Sequence, residues 1–137
     1  MDSKSLMIGD WVYNTFNQQA EQVVEIRQDQ VILAYNDGND YDEIEPIPLT
    51  AEILEKNGWK LMPNPYKLEY SWSTGAIEEY ADIHICVGKD HSNVWRWDFP
   101  ILNIHLYRGD IELTKFRYVH EMQHALKLCG INKTIKV

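Results

Sequence analysis

The chain has 137 residues, of which 45% are hydrophobic and 25% charged, with a net charge of −8; this is the composition of a globular protein of one domain or two very small ones. It contains no apolar run of the roughly 18 residues that a membrane helix needs, and Met1-Asp2-Ser3-Lys4-Ser5 lacks the apolar core of a signal peptide, so a cytoplasmic protein with no membrane partner is expected. Cys86 and Cys129 are the only cysteines and belong to no CxxC pair, which excludes a disulfide scaffold and predicts two reduced, buried thiols.

The charge is unevenly spread. Residues 1–65 hold twelve acidic and four basic side chains, whereas 66–137 hold nine of each. Within the second half, Arg108, Lys115, Arg117, Lys127, Lys133 and Lys136 outnumber Asp110, Glu112 and Glu121. An acidic front and a mildly basic tail argue against general nucleic-acid binding by the whole surface.

In chain order, the first fifty residues predict an SH3-like small β-barrel. A Gly9-Asp10 turn opens the run Trp11-Val12-Tyr13; Gln22–Ile26 and Gln30–Tyr35 flank a tight polar turn, and Asn36-Asp37-Gly38-Asn39-Asp40 reads as a hairpin loop. Asp42–Leu49 follows as an edge strand, since Pro46 and Pro48 cannot donate to a ladder. Thr50 is a natural N-cap for a short linking helix, stopped by Gly58. Beyond the Pro63-Asn64-Pro65 turn, strands are predicted at 66–73, 77–87, 94–99 and 101–107, with turns at Thr74-Gly75, Gly88-Lys89-Asp90 and Pro100. Phe116–Leu128 is the clearest helix, ended by Gly130, and 133–137 reads as a last strand. The fold class expected is therefore α+β: a barrel with its linking helix at 1–58, then an antiparallel sheet packed by a C-terminal helix at 59–137.

One stretch names a chemistry. His120-Glu121-Met122-Gln123-His124 matches HExxH, in which two histidines one turn apart bind Zn²⁺ and the glutamate is the general base. A helical wheel puts Tyr118, Val119, Met122, Ala125, Leu126 and Cys129 on the core face, and His120 and His124 opposite, between Arg117 and Lys127. Two cations beside a metal disfavour it. No His, Glu or Asp follows His124 to serve as third ligand, leaving only upstream candidates such as His84, His91 or His105; Lys127 and Gly130 break the extended motif. The expectation is thus no catalytic residue, no metal and no cofactor, with a zinc-dependent hydrolase as the alternative. The stripe Arg117, His120, His124 and Lys127 is the candidate anion-binding surface, suited to a small anionic nucleotide. His84 and His105 stand mid-strand between apolar neighbours. Cys86 and Tyr107 stand where a two-histidine phosphoesterase would need Thr or Ser, so both histidines are expected to be structural.

Asp37, Asp40, Asp42, Glu43 and Glu45 form the densest charge cluster and lack the ligand ladder of an EF-hand. They are the candidate partner-binding surface, fitted to a basic protein. Trp72, Trp95 and Trp97 with Tyr66, Tyr70, Tyr80 and Tyr107 make the second half aromatic, as a core or an exposed surface.

Two segments, Asp42 through Trp59 and Tyr118 through Ile131, resemble a family of small uncharacterised proteins of Bacteroidetes-type bacteria and their phages. In that family the C-terminal motif runs Val-His-x-Leu-Gln-His/Asn, so neither Glu121 nor His124 is a fixed feature. The family has no established activity and supplies no catalytic residue. What the resemblance implies is a phage or mobile-element setting and a host protein as partner, with inhibition of a host defence among the roles this would serve.

Overall fold

The computed structural model describes residues 1–62, 68–73, 82–97, 100–106 and 109–137, with the backbone alone at 36–37, 72–73, 82, 104–106 and 109–111. Its class is α+β, with two antiparallel five-stranded sheets and two α-helices among the described residues. Contacts divide the chain into two compact units. The first comprises 1–48, 118–124 and residue 137; the second comprises 49–117 and 125–136. The boundary thus differs from the expected division at 58, and the C-terminal helix contributes residues to both units.

In the first unit β1 (Trp11–Asn14), β2 (Gln19–Ile26), β3 (Gln30–Leu33), β4 (Asn36–Asp40) and β5 (Ile44–Pro46) lie in the order β4-β3-β2-β1-β5. The segment expected to be a hairpin loop is strand β4: the chain reverses at Ala34-Tyr35, and Gln30 pairs with Asp40 and Val31 with Asn39. Five strands therefore replace the four expected. No closed barrel is found among the described residues, where β4 and β5 are the two sheet edges. Strand alternation buries Val12, Val23, Val31, Leu33 and Ile44, which pack with Leu6 as one apolar cluster. The same alternation buries Asn14 and Glu21. Glu21 is held by neutral amides, at 2.6 Å from Gln19 Nε2 and 3.2 Å from Asn17 Nδ2.

The second unit opens with α1 (Ala51–Lys56), as expected, capped by Thr50 Oγ1, which accepts from the Ile53 amide at 3.3 Å. At its end Gly58 adopts φ +87°, and the amides of Gly58 and Trp59 close a Schellman turn onto Glu55 and Leu54. The side chain of Asn57 then explains why α1 belongs to this unit. Its Nδ2 donates to Ile53 O and Lys136 O, both at 2.7 Å, and its Oδ1 accepts from the Lys136 amide at 2.8 Å.

Strands β6 (Lys60–Met62), β7 (Leu68–Ser73), β8 (Asp82–Val87), β9 (Ile101–Leu106) and β10 (Gly109–Lys115) follow as a meander in the order β10-β9-β8-β7-β6. Strand β10 was not expected, and 94–97 forms a loop with one Lys89–Trp95 bridge rather than a strand. The Pro63-Asn64-Pro65 and Thr74-Gly75 turns lie outside the described residues. Helix α2 (Val119–Leu128) starts three residues later than predicted, and 133–137 forms no strand. Gly130 at φ +74° ends α2 in a second Schellman turn, its amide bonded to Lys127 O and that of Ile131 to Leu126 O. No helix among the described residues is long and apolar enough to cross a membrane.

Candidate functional site

Each letter of HEMQH has a definite placement in the first unit. Glu121 is the third residue of α2, and its Oε1 accepts from the Tyr118 amide at 3.2 Å, satisfying a donor that the helix start leaves open. Met122 is fully buried. Gln123 clasps the start of β1: its Oε1 accepts from the Trp11 amide and its Nε2 donates to Gly9 O, both at 3.0 Å. The two histidines depart from the helical wheel. His120 is 4% exposed, and His124, partly buried, places Nε2 at 2.9 and 2.7 Å from the two carboxylate oxygens of Asp10. A carboxylate only accepts, so Nε2–H is the donor.

Asp10 is the residue that the sequence did not single out. It is fully buried, and its Oδ2 also accepts from the Met7 amide at 2.7 Å. Gly9-Asp10 reads as a turn, and nothing local ties it to a histidine 114 positions away. Its charge also reaches His120. Burial pushes the His120 imidazole below its ordinary pKa, as does His124, while Asp10 and Glu121 oppose the shift. His120 is therefore neutral at pH 7. Its ring stacks on Tyr118 with centroids 6.0 Å apart and meets His124 edge-on at 5.6 Å. Met1, Ser5, Pro46, Tyr118, His120, Glu121 and His124 line a cavity of about 400 Å³.

This arrangement changes the expectations for the basic stripe. Arg117 and Lys127 are exposed in the second unit, whereas in the first His120 is buried and His124 is engaged by a carboxylate. Among the described residues no group of three or more His, Cys, Asp or Glu is placed to hold a metal ion. In the acidic cluster, Asp40, Asp42 and Glu45 are exposed and Glu43 is half-buried; Glu43 Oε2 accepts from the Asp40 amide at 3.3 Å, capping a 3-10 turn at Tyr41–Glu43. The side chain of Asp37 is outside the described residues.

The second unit holds a different polar group on one face of its sheet. Glu69 pairs with Cys86, and His84 with Asn103. Glu69 Oε1 lies 3.0 Å from His84 Nδ1 and 3.8 Å from Cys86 Sγ, and Asn103 Nδ2 donates to that sulfur at 3.3 Å. His84 is thus built into a network rather than resting on apolar neighbours; strand alternation turns it away from Ile83 and Ile85. Cys86 is buried, Cys129 half-buried, and the two form no disulfide. Of the aromatic set, Tyr70 is buried with Trp97 tilted against it, and Lys89 sits 4.3 Å over the Trp95 ring. His105 and Trp72 have no described side chains.

No protein-family model matches the chain, and no curated protein and no solved structure matches it either.

Proposed function

We propose that the protein is a non-enzymatic binding protein of a phage or mobile element that engages a basic surface of a host protein through Asp40, Asp42, Glu43 and Glu45, in the manner of a host-defence inhibitor. The observation that carries this reading is the segregation of charge. The first unit holds eleven acidic and two basic side chains, a net −9, while the second holds ten and eleven, a net +1. One of the two cations, Arg27, is already bonded to Glu25 at 2.8 Å. A field of one sign over so small a body steers a partner of opposite sign and raises the association rate.

The order β4-β3-β2-β1-β5, with a 3-10 turn between β4 and β5, supports reading this sheet as SH3-like. The acidic side chains then span the two edge strands and the turn between them, with Asp40 ending β4, Asp42 and Glu43 in the turn and Glu45 in β5, where charge also blocks edge-to-edge aggregation. Tyr13 stands directly opposite Glu45 across the β1–β5 pair and is exposed, which sets an aromatic anchor beside the charge. The phage setting rests on the resemblance of 42–59 and 118–131.

The test is capture from host lysate followed by binding kinetics across a salt series. Exposed charges are screened over about 8 Å at physiological ionic strength, so the association rate should fall steeply with salt. Reversing Asp40, Asp42 and Glu43 to lysine should lower it about tenfold or more, and reversing Arg117 and Lys127 to glutamate should lower it less. A salt-insensitive complex, or one lost only with the helix reversals, would refute the reading.

A further inference from the structure

The cavity at the start of α2 contains more recognition chemistry than the fold requires. His120 is 4% exposed, yet its Nδ1 is buried without a hydrogen-bond partner. A buried polar atom in that state is costly unless something else satisfies it. The surrounding groups are used only in part: Glu121 spends Oε1 on the Tyr118 amide, and Asp10 fixes His124 from behind. The walls therefore combine a neutral imidazole and a carboxylate with the flat surfaces of Tyr118 and Pro46, and with the Ser5 hydroxyl, which donates to Asp2 O at 2.7 Å and keeps only its acceptor capacity. Ligand sites typically enclose about 300–1,000 Å³ and have this composition, mostly apolar with a few placed polar groups; the cavity of about 400 Å³ falls at the lower end.

We propose that this cavity binds a neutral nitrogen heterocycle of nucleobase or nucleoside size. Three features select that class. Tyr118, half-buried in the wall and parallel to the His120 ring it covers, offers a π face on which any base can stack. A carboxylate beside a neutral imidazole gives an acceptor next to a donor–acceptor pair, which complements the N–H and ring-nitrogen edge of a base. The charge disfavours the phosphorylated forms: Glu121 is in the wall, the buried Asp10 carboxylate engages His124, and the side chains of the unit sum to −9, against one cation in the wall, the Met1 ammonium, which already donates to Tyr41 O at 2.8 Å. An anion entering there meets like charge, whereas a neutral base does not. The site adjoins β5 through Pro46, but its lining contains none of the acidic side chains proposed for docking.

The experiment is titration of the whole protein with adenosine, guanosine, cytidine and uridine, and with their 5′-monophosphates, by calorimetry and by imidazole NMR. At least one nucleoside should bind saturably and shift the His120 ring resonances, at least about tenfold more tightly than its monophosphate. His120→Phe keeps a flat ring and removes the nitrogens, and should weaken binding about tenfold or more, the size of one buried hydrogen bond. If that variant misfolds, the His120 shifts in the unaltered protein still decide the matter. The lysine reversals of Asp40, Asp42 and Glu43 should leave nucleoside affinity unchanged, so the two proposals fail independently. Tighter binding of monophosphates, or no saturable binding of any nucleoside with His120 unmoved, would overturn the proposal.

Discussion

The two units stabilise buried polar groups in opposite ways. In the first, with its net −9, two carboxylates are fully buried: Glu21 among amide donors and Asp10 against His124 and a backbone amide. In the second, with nearly balanced charge, Glu69 pairs with the buried His84 at 3.0 Å, and the uncharged side chain of Asn57 ties backbone to backbone through three hydrogen bonds. A burial pattern with carboxylates inside an acidic body is tolerable only where each is fully hydrogen-bonded. Stability in the first unit should therefore depend on pH and on single acceptors, and in the second on packing and caps.

The largest effect should come from the apolar side of α2, and it sets the scale for the rest. Met122 and Leu126 are 0% and 2% exposed; an aspartate at either position buries an unpaired charge, and loss of about 4 kcal/mol or more should leave the protein unfolded or aggregated. A near-native melt of Met122→Asp would break the assignment of that face. Next comes Asp10→Ala, which leaves the Met7 amide and His124 Nε2 without their acceptor; about 2–3 kcal/mol should be lost in chemical denaturation. It should also lower the His120 pKa further, because Asp10 is the largest influence raising it, and an imidazole NMR titration reads this directly. In the second unit Asn57→Ala removes the tie to Lys136, and about 1–2 kcal/mol should go with it. Faster amide exchange at Lys136 in that variant, with none gained at Met7, would show that the two units respond separately.

How much of this was legible in the sequence follows from the range of the interactions. Thr50, Gly58 and Gly130 marked helix ends correctly because caps are made within a few residues. The core positions Val119, Met122, Ala125 and Leu126 followed from periodicity alone. The wheel misplaced His120 and His124 because a polar residue type says nothing about a distant carboxylate able to engage His124 or an aromatic ring able to cover His120. Asp10 itself had no local signal. The hairpin reading of 36–40 failed for a related reason: Asn, Asp and Gly favour turns in isolation, but pairing of Val31 with Asn39 and Gln30 with Asp40 extends β4 through them. Likewise 94–97, alternating and aromatic, has the strand pattern without a neighbouring strand to pair with beyond the Lys89–Trp95 bridge.

A smaller effect concerns pH. His120 has its folded pKa lowered from 6.5, chiefly by burial. The unfolded chain takes up the proton first as pH falls, so the stability contributed by keeping this group neutral is fully present above about pH 7 and lost as pH drops through the unfolded value toward the folded one. Denaturant midpoints from about pH 8 to 5 should therefore fall more steeply for the unaltered protein than for His120→Phe, which has no proton to gain. Parallel curves would mean that His120 titrates alike in both states.

The smallest effect should come from the exposed pair of Arg27 and Glu25, and it separates stability from steering. Their side chains are 58% and 51% exposed, and each shifts the other toward its charged form, with the Glu25 carboxylate lowered and the Arg27 guanidinium raised. Water and salt screen such a pair almost completely, so Arg27→Gln should leave the thermal midpoint within the scatter of repeated melts. The same substitution removes one of only two basic side chains from the first unit, taking its net charge from −9 to −10. Association with a basic partner should then speed up slightly at low salt and be unchanged at high salt, because the field of the whole unit sets the encounter rate while the pair itself holds nothing in place. A clear loss of thermal stability would show instead that the acidic unit depends on its few cations to stay folded, and the contrast between the two units would then rest on self-repulsion rather than on how each hydrogen-bonds its buried groups.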